Sequence, residues 1–100
     1  MIQRIVVIRF KPEFRTPGSV REIAEHSRKV MPTVAGVQTV TVGSPADDRT
    51  AKQWDLVLVV GLENLDDLPA YGSDPAHRAY VDEYLRPKMD SIAAWNFEIP

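Results

Sequence analysis

Tyr71 and His77 are the side chains in this sequence whose types and spacing best suit chemistry. They stand six residues apart within LPAYGSDPAHRAYVDEYLRP, Leu68–Pro87. Between them, Gly72-Ser73-Asp74-Pro75 reads as a helix stop followed by a helix start. Asp74 suits an N-cap and Pro75 the first helical position, which puts His77 at N3. The positive end of the helix dipole there favours the neutral imidazole, the form that accepts a proton near neutrality. A phenol beside it donates a hydrogen bond to a developing oxyanion, so together the two groups would make a small acid–base site. Without such a partnership the same DPAH segment simply starts a helix.

Other candidates are weaker. Arg4 and Asp55 are charged residues inside otherwise apolar strands, where burial is costly unless the charge is paired or functional. Both sit near strand starts, so antiparallel pairing would place them at opposite ends of a sheet rather than together. Each would either rim a ligand pocket or lie at the surface as a strand-end residue, and the surface placement is slightly favoured. His77 shares a helical face with Tyr80, Val81 and Tyr84, which read as packing residues. His26 falls on the flank of the first helix and reads as solvated. Two distant histidines and no cysteine give no metal-ligand spacing. Asp47-Asp48 and Asp66-Asp67 are better explained as a solvated loop and a helix N-terminus. There is no P-loop, no G-x-G-x-x-G and no nucleophile elbow.

The elements that must hold these residues are legible from periodicity. Ile2–Lys11, rich in Ile and Val and stopped by Pro12, reads as a first strand. Lys11–Gly18 is a loop, and Ser19 is the expected cap of a helix to about Met31, ended by Pro32. That helix presents Val20, Ile23, Ala24, Ser27, Val30 and Met31 on one face. VQTVTVG, Val37–Gly43, is a second strand, and Ser44–Gln53 a hairpin loop. Trp54–Leu62 is a third strand. Asn64 caps a short helix that Gly72 ends. Asp74 starts another, expected to run to about Met89 with a kink or early end at Pro87. Trp95–Ile99 alternates and reads as the fourth strand. The order β-α-β-β-α-β, with the second helix split, is a ferredoxin-like α+β arrangement with a four-stranded antiparallel sheet.

A sheet covered on one side should alternate apolar and polar residues. Here Leu56, Leu58, Val60 and Leu62 face one way and Val57 and Val59 the other, while Val6, Ile8 and Phe10 oppose Ile5 and Val7. Both faces are apolar, yet the helices can cover only one. A second copy packed on the bare face is the simplest cover, so a homodimer through the sheets is expected, with Arg9 on the dimer side. Folding back of the C-terminal residues is the alternative cover.

The chain has 100 residues, a net charge of −2 and a pI near 5.6. That is one domain with no basic stripe for nucleic acid. The aliphatic central strands also lack the exposed aromatics of an RNA-binding sheet. The opening apolar run is short and interrupted by charge, which fits neither a signal peptide nor a membrane span. A cytoplasmic protein is the expectation.

Over nearly its whole length the sequence resembles the stress-responsive dimeric α/β-barrel domain family, often called Dabb. The resemblance runs through IVVIRFKP, MPTVAGVQTVTVG, WDLVLVVGLENLDDLPAY and DPAHRAYVDEYLRP. The combination AY-x-x-DPAH-x-x-Y-V-x-x-Y-L-R-P is its most specific part. The resemblance implies a single domain over 1–100, a ferredoxin-like protomer and a dimer joined through its sheets. It also implies a pocket for a small, largely apolar, oxygenated molecule, with no cofactor. Some members of the family are polyketide cyclases in which residues matching Tyr71 and His77 form the acid–base pair. That cyclase carries histidines where this chain has Arg4, Asp55 and Asp74; these three, with Val57, are the expected substrate-binding positions. Two function classes follow. One is a cofactor-independent lyase, cyclase or isomerase, with monooxygenase-like oxygen chemistry as a variant. The other is a non-enzymatic, stress-responsive structural dimer.

Overall fold

A computed structural model describes all the residues, Met1–Pro100. Strand β1 spans Ile2–Phe10, helix α1 Pro17–Val30, β2 Val37–Gly43 and β3 Leu56–Leu62. A short helix α2, Asp48–Ala51, lies in the β2–β3 connection. Helices α3, Leu68–Ser73, and α4, Pro75–Ala79, follow, and α4 runs on into a π-helical segment, Tyr80–Leu85. Strand β4, Met89–Glu98, closes the sheet. The order β2-β3-β1-β4, antiparallel throughout, is that of a ferredoxin-like fold.

The core forms where the helices meet one face of the sheet. Ile2, Val6, Ile8 and Phe10 of β1 alternate inward beside Leu56, Leu58, Val60 and Leu62 of β3, all buried. Ile23, Ala24 and Met31 from α1 and its following turn pack onto them, with Tyr71, Tyr80 and Leu85 from the second helical run. Arg4 breaks the pattern: it lies on this inner face, between Ile2 and Val6, and is only half-buried.

Several boundaries differ from expectation. Thr16, not Ser19, caps α1: its side chain accepts from the Ser19 N–H, and Pro17 takes the first helical position. The Ser44–Gln53 loop contains α2, capped by Asp47, which accepts from the Thr50 N–H. Strand β3 starts at Leu56, two residues after Trp54. Regular helix ends at Ala79 and the π-segment at Leu85, ahead of Pro87, so no helix reaches Met89. Strand β4 starts at Met89, six residues before Trp95. Asp90, Ser91 and two alanines have poor strand propensity, but pairing along the whole of β1 overrides it.

The other face of the sheet is bare. Ile5, Val7, Val57 and Val59 lie there, with Trp95 50% and Phe97 54% exposed. The C-terminal residues do not cover it: the Ile99 N–H bonds the Met1 carbonyl, which keeps the chain end alongside β1.

Candidate functional site

The chain brings Tyr71 and His77 together by a stop and a restart of helix. Asp74 lies between α3 and α4 in an extended conformation, and its Oδ1 accepts from the N–H groups of Ala76 and His77. Its Oδ2 accepts from the Ala35 N–H, tying the turn after α1 to the start of α4. The break folds α4 against α3 and sets the His77 ring beside the Tyr71 ring in a tilted pair, with centroids 4.4 Å apart at 40°.

His77 Nδ1 lies 3.3 Å from the Gly72 carbonyl oxygen. A carbonyl only accepts, so in the neutral ring Nδ1 carries the proton and Nε2 keeps its lone pair. Half-burial pushes the His77 pKa down, and the charges of Arg78 and Arg4 push the same way. The Gly72 bond and Asp74 oppose them. The ring is therefore a neutral base at neutral pH. Burial pushes the Tyr71 phenol up from 10.0, and Arg4, by charge and hydrogen bonding, pulls it back. The phenol stays protonated and able to donate.

Both rings line one hollow of about 200 Å³. Its apolar walls include Val6 and Leu58 of the sheet, Val81 and Leu85 of the π-segment, and Ile92 and Ala94 of β4. A hollow of this size suits a small molecule. Arg4 reaches into the same hollow. Its Nη1 donates to Asn96 Oδ1 at 3.0 Å, and its guanidinium carbon lies 6.0 Å from the Tyr71 ring centroid. Ile92 of β4, in the lining, is 43% exposed.

The other expected site residues fall elsewhere. Asp74 adjoins His77 but is absent from the hollow's lining; both of its carboxylate oxygens are taken by backbone N–H groups. Asp55 is buried at the opposite end of the sheet, so a surface placement is wrong for it. Its Oδ2 accepts from the Phe10 N–H at 2.8 Å, and its Oδ1 lies 3.5 Å from Arg15 Nε. It lines a separate hollow with Arg15, Arg21 and Arg28. Val57 points to the bare face of the sheet, beside Val7 and Trp54. Arg4 and Asp55 do not pair, as their strand positions imply. His26 is not freely solvated: its ring stacks on Tyr84 at 3.7 Å.

The supporting groups were not legible. Asn96 holds Arg4, and the alternation of β1 and β4 across their pairing is the signal that would have found it. Ser27 Oγ donates to the Ile23 carbonyl, so the Tyr80 hydroxyl, 2.5 Å away, must donate to Ser27. Burial raises that phenol to about 12. This bond fixes the first residue of the π-segment against α1. Among all the residues no cluster of His, Cys, Asp and Glu could hold a metal ion. No helix is long and apolar enough to cross a membrane.

Comparison with known proteins agrees with this architecture. A Mesorhizobium loti Dabb family protein with a ferredoxin-like fold superposes with a TM-score of 0.80 at 14% identity, over 99% of this chain and 95% of that one. A dimeric ferredoxin-like protein of unknown function from Thermobifida fusca gives 0.80 at 22%, over 98% and 90%. The hydroxynitrile lyase of Passiflora edulis gives 0.79 at 14%, over 99% and 93%. At these identities the likeness is one of fold. No curated protein matches the chain. The model of the stress-responsive A/B barrel domain matches residues 2–99, and the chain belongs to that family, Dabb.

Proposed function

We propose that this protein is a homodimer that binds a small, largely apolar carbonyl compound beside His77 and Tyr71 and catalyses cofactor-free acid–base chemistry on it. The observation that carries the reading is the meeting of a neutral imidazole and a protonated phenol in one mostly apolar hollow, with Nδ1 of the imidazole tied to Gly72. In the step we envisage, Nε2 of His77 takes a proton from the carbon next to a carbonyl. The C–H pair forms the new C=C bond, the carbonyl π pair moves to oxygen, and Tyr71 donates a hydrogen bond to that enolate. The enolate carbon then attacks a second carbonyl of the same molecule, and the resulting alkoxide takes the proton back from His77. Atoms and charge balance with no further reagent. A polyketide-like or aromatic oxygenated substrate has the required groups. The shared fold with a hydroxynitrile lyase is in keeping with lyase chemistry.

The dimer is supported by the bare apolar face and by related folds described as dimeric. The test is a panel of small β-keto and aromatic carbonyl compounds, followed for saturable binding and for conversion. Conversion by the wild type that is lost in both His77→Ala and Tyr71→Phe, with both variants folded, is the expected result. No saturable binding by any member would sink the reading in favour of a structural dimer.

A further inference from the structure

Arg4 is the one charged group of the hollow that lacks a counter-ion. The ion pairs of the chain join Met1 to Glu98, Arg15 to Asp55, and both Arg78 and Arg86 to Asp82. Arg78, the other guanidinium of the lining, is by contrast paired with a carboxylate, through a two-point bond to Asp82. Glu98, the acid next along β4 on the face that carries Asn96, is engaged by the N-terminal amino group. Arg4 has no anionic partner: it meets only the neutral amide oxygen of Asn96 and the Tyr71 side chain, at its ring face and its phenol. It emerges from the inner, helix-facing side of β1, where its neighbours Ile2 and Val6 are buried. The half-buried guanidinium lines the hollow beside its apolar walls with no anion against it, while its bond to Asn96 stays exposed to solvent, so it is open to an incoming anionic group. Asn96 fixes one nitrogen of the fork and leaves the rest of it to bind, the geometry that suits a planar carboxylate.

We propose that the molecule taken into this hollow carries a carboxylate, and that Arg4 is the group that recognises it. The proposal rests on the site assigned above and narrows its substrate to an acid, such as a β-keto acid or an aromatic carboxylate small enough for the space. The carboxylate would sit against Arg4 while its neighbouring carbonyl faced Tyr71 and His77.

Two matched probe pairs test this: acetoacetate against acetoacetamide, and benzoate against benzamide, with affinities measured by titration calorimetry or NMR. The wild type is expected to bind each acid about tenfold tighter than its neutral amide, the scale of a charge-assisted pair. Rising salt should erode that preference. Arg4→Gln should abolish it while leaving amide binding in place, Arg4→Lys should restore part of it, and Arg78→Gln should keep it. Equal affinities in the wild type, a preference that survives Arg4→Gln, or no saturable binding of either acid would each overturn the proposal. Arg4→Lys and Arg78→Gln, read with the salt series on the wild type, decide the matter even if Arg4→Gln fails to fold. Acid preference without His77-dependent conversion would defeat the acid–base reading and leave the role of Arg4 standing. Conversion of neutral carbonyl compounds without acid preference would do the reverse.

Discussion

The bond from His77 Nδ1 to the Gly72 carbonyl leaves Nε2 as the ring nitrogen free to act as a base, and in the proposed reaction the titration of that ring would make the rate pH-dependent. Burial holds the His77 pKa below its ordinary 6.5. The acid limb of the kcat/KM profile should therefore fall below 6.5, and a pH–rate series checks it. The stability effect has the same origin. As pH drops, the unfolded chain takes up a proton on this histidine first, so stability declines from about 6.5 downward and levels off beneath the folded-state value. His77→Gln should flatten that slope in denaturant midpoints taken at one protein concentration. Tyr71→Phe keeps the packing and deletes the donor. It should cost roughly 10²–10³-fold in rate, as for other oxyanion donors, with little change in unfolding midpoint.

At the scale of elements, two polar bonds place the site. Asp74 joins the start of α4 to the turn after α1 through Ala35, so Asp74→Ala loses a helix cap and a tertiary tie together. The expected cost is ~1–2 kcal/mol, measured by chemical denaturation. The Ser27–Tyr80 pair carries a directional prediction. Ser27→Ala leaves a buried phenol with no acceptor and should cost ~1–3 kcal/mol, whereas Tyr80→Phe leaves Ser27 bonded to Ile23 and should cost less. If the two variants are equally destabilised, the donor direction argued here is wrong. The π-segment that follows aims Val81 and Leu85 into the hollow. An inserted residue per turn re-aims side chains in this way, and such turns often accompany functional sites.

For the whole molecule, the uncovered sheet face is the surface on which the proposed dimer rests. Ile5, Val7, Val57, Val59, Trp95 and Phe97 form a contiguous apolar surface of the kind that a monomer seldom leaves exposed. Trp95→Arg, placing a charge on this apolar surface, should shift sedimentation velocity from dimer to monomer and make the unfolding midpoint independent of concentration. A wild type that sediments as a monomer across the micromolar range would contradict the dimer. Arg9, whose Nη1 donates to the Ala51 carbonyl, edges the same face and would be covered in that dimer.

The sequence by itself determined the order of the main elements, the capping of α4 by Asp74 and the two-faced apolar strands, and it singled out Tyr71 and His77 without bringing them together. All of these rest on local periodicity, caps and short spacing, where interactions lie within one or two turns of chain. Only the tertiary structure decided the rest. Arg4 joined the site because β1 and β4 pair in a register that sets it beside Asn96 and faces it toward α3. Asp55 and Val57 were carried away, one to the far end of the sheet and one to its other face. The start of β4 was hidden in residues of poor strand propensity and appeared only through pairing with β1. Register and face are properties of two strands together, and a shift of one residue exchanges buried for exposed, so no single strand read alone contains them.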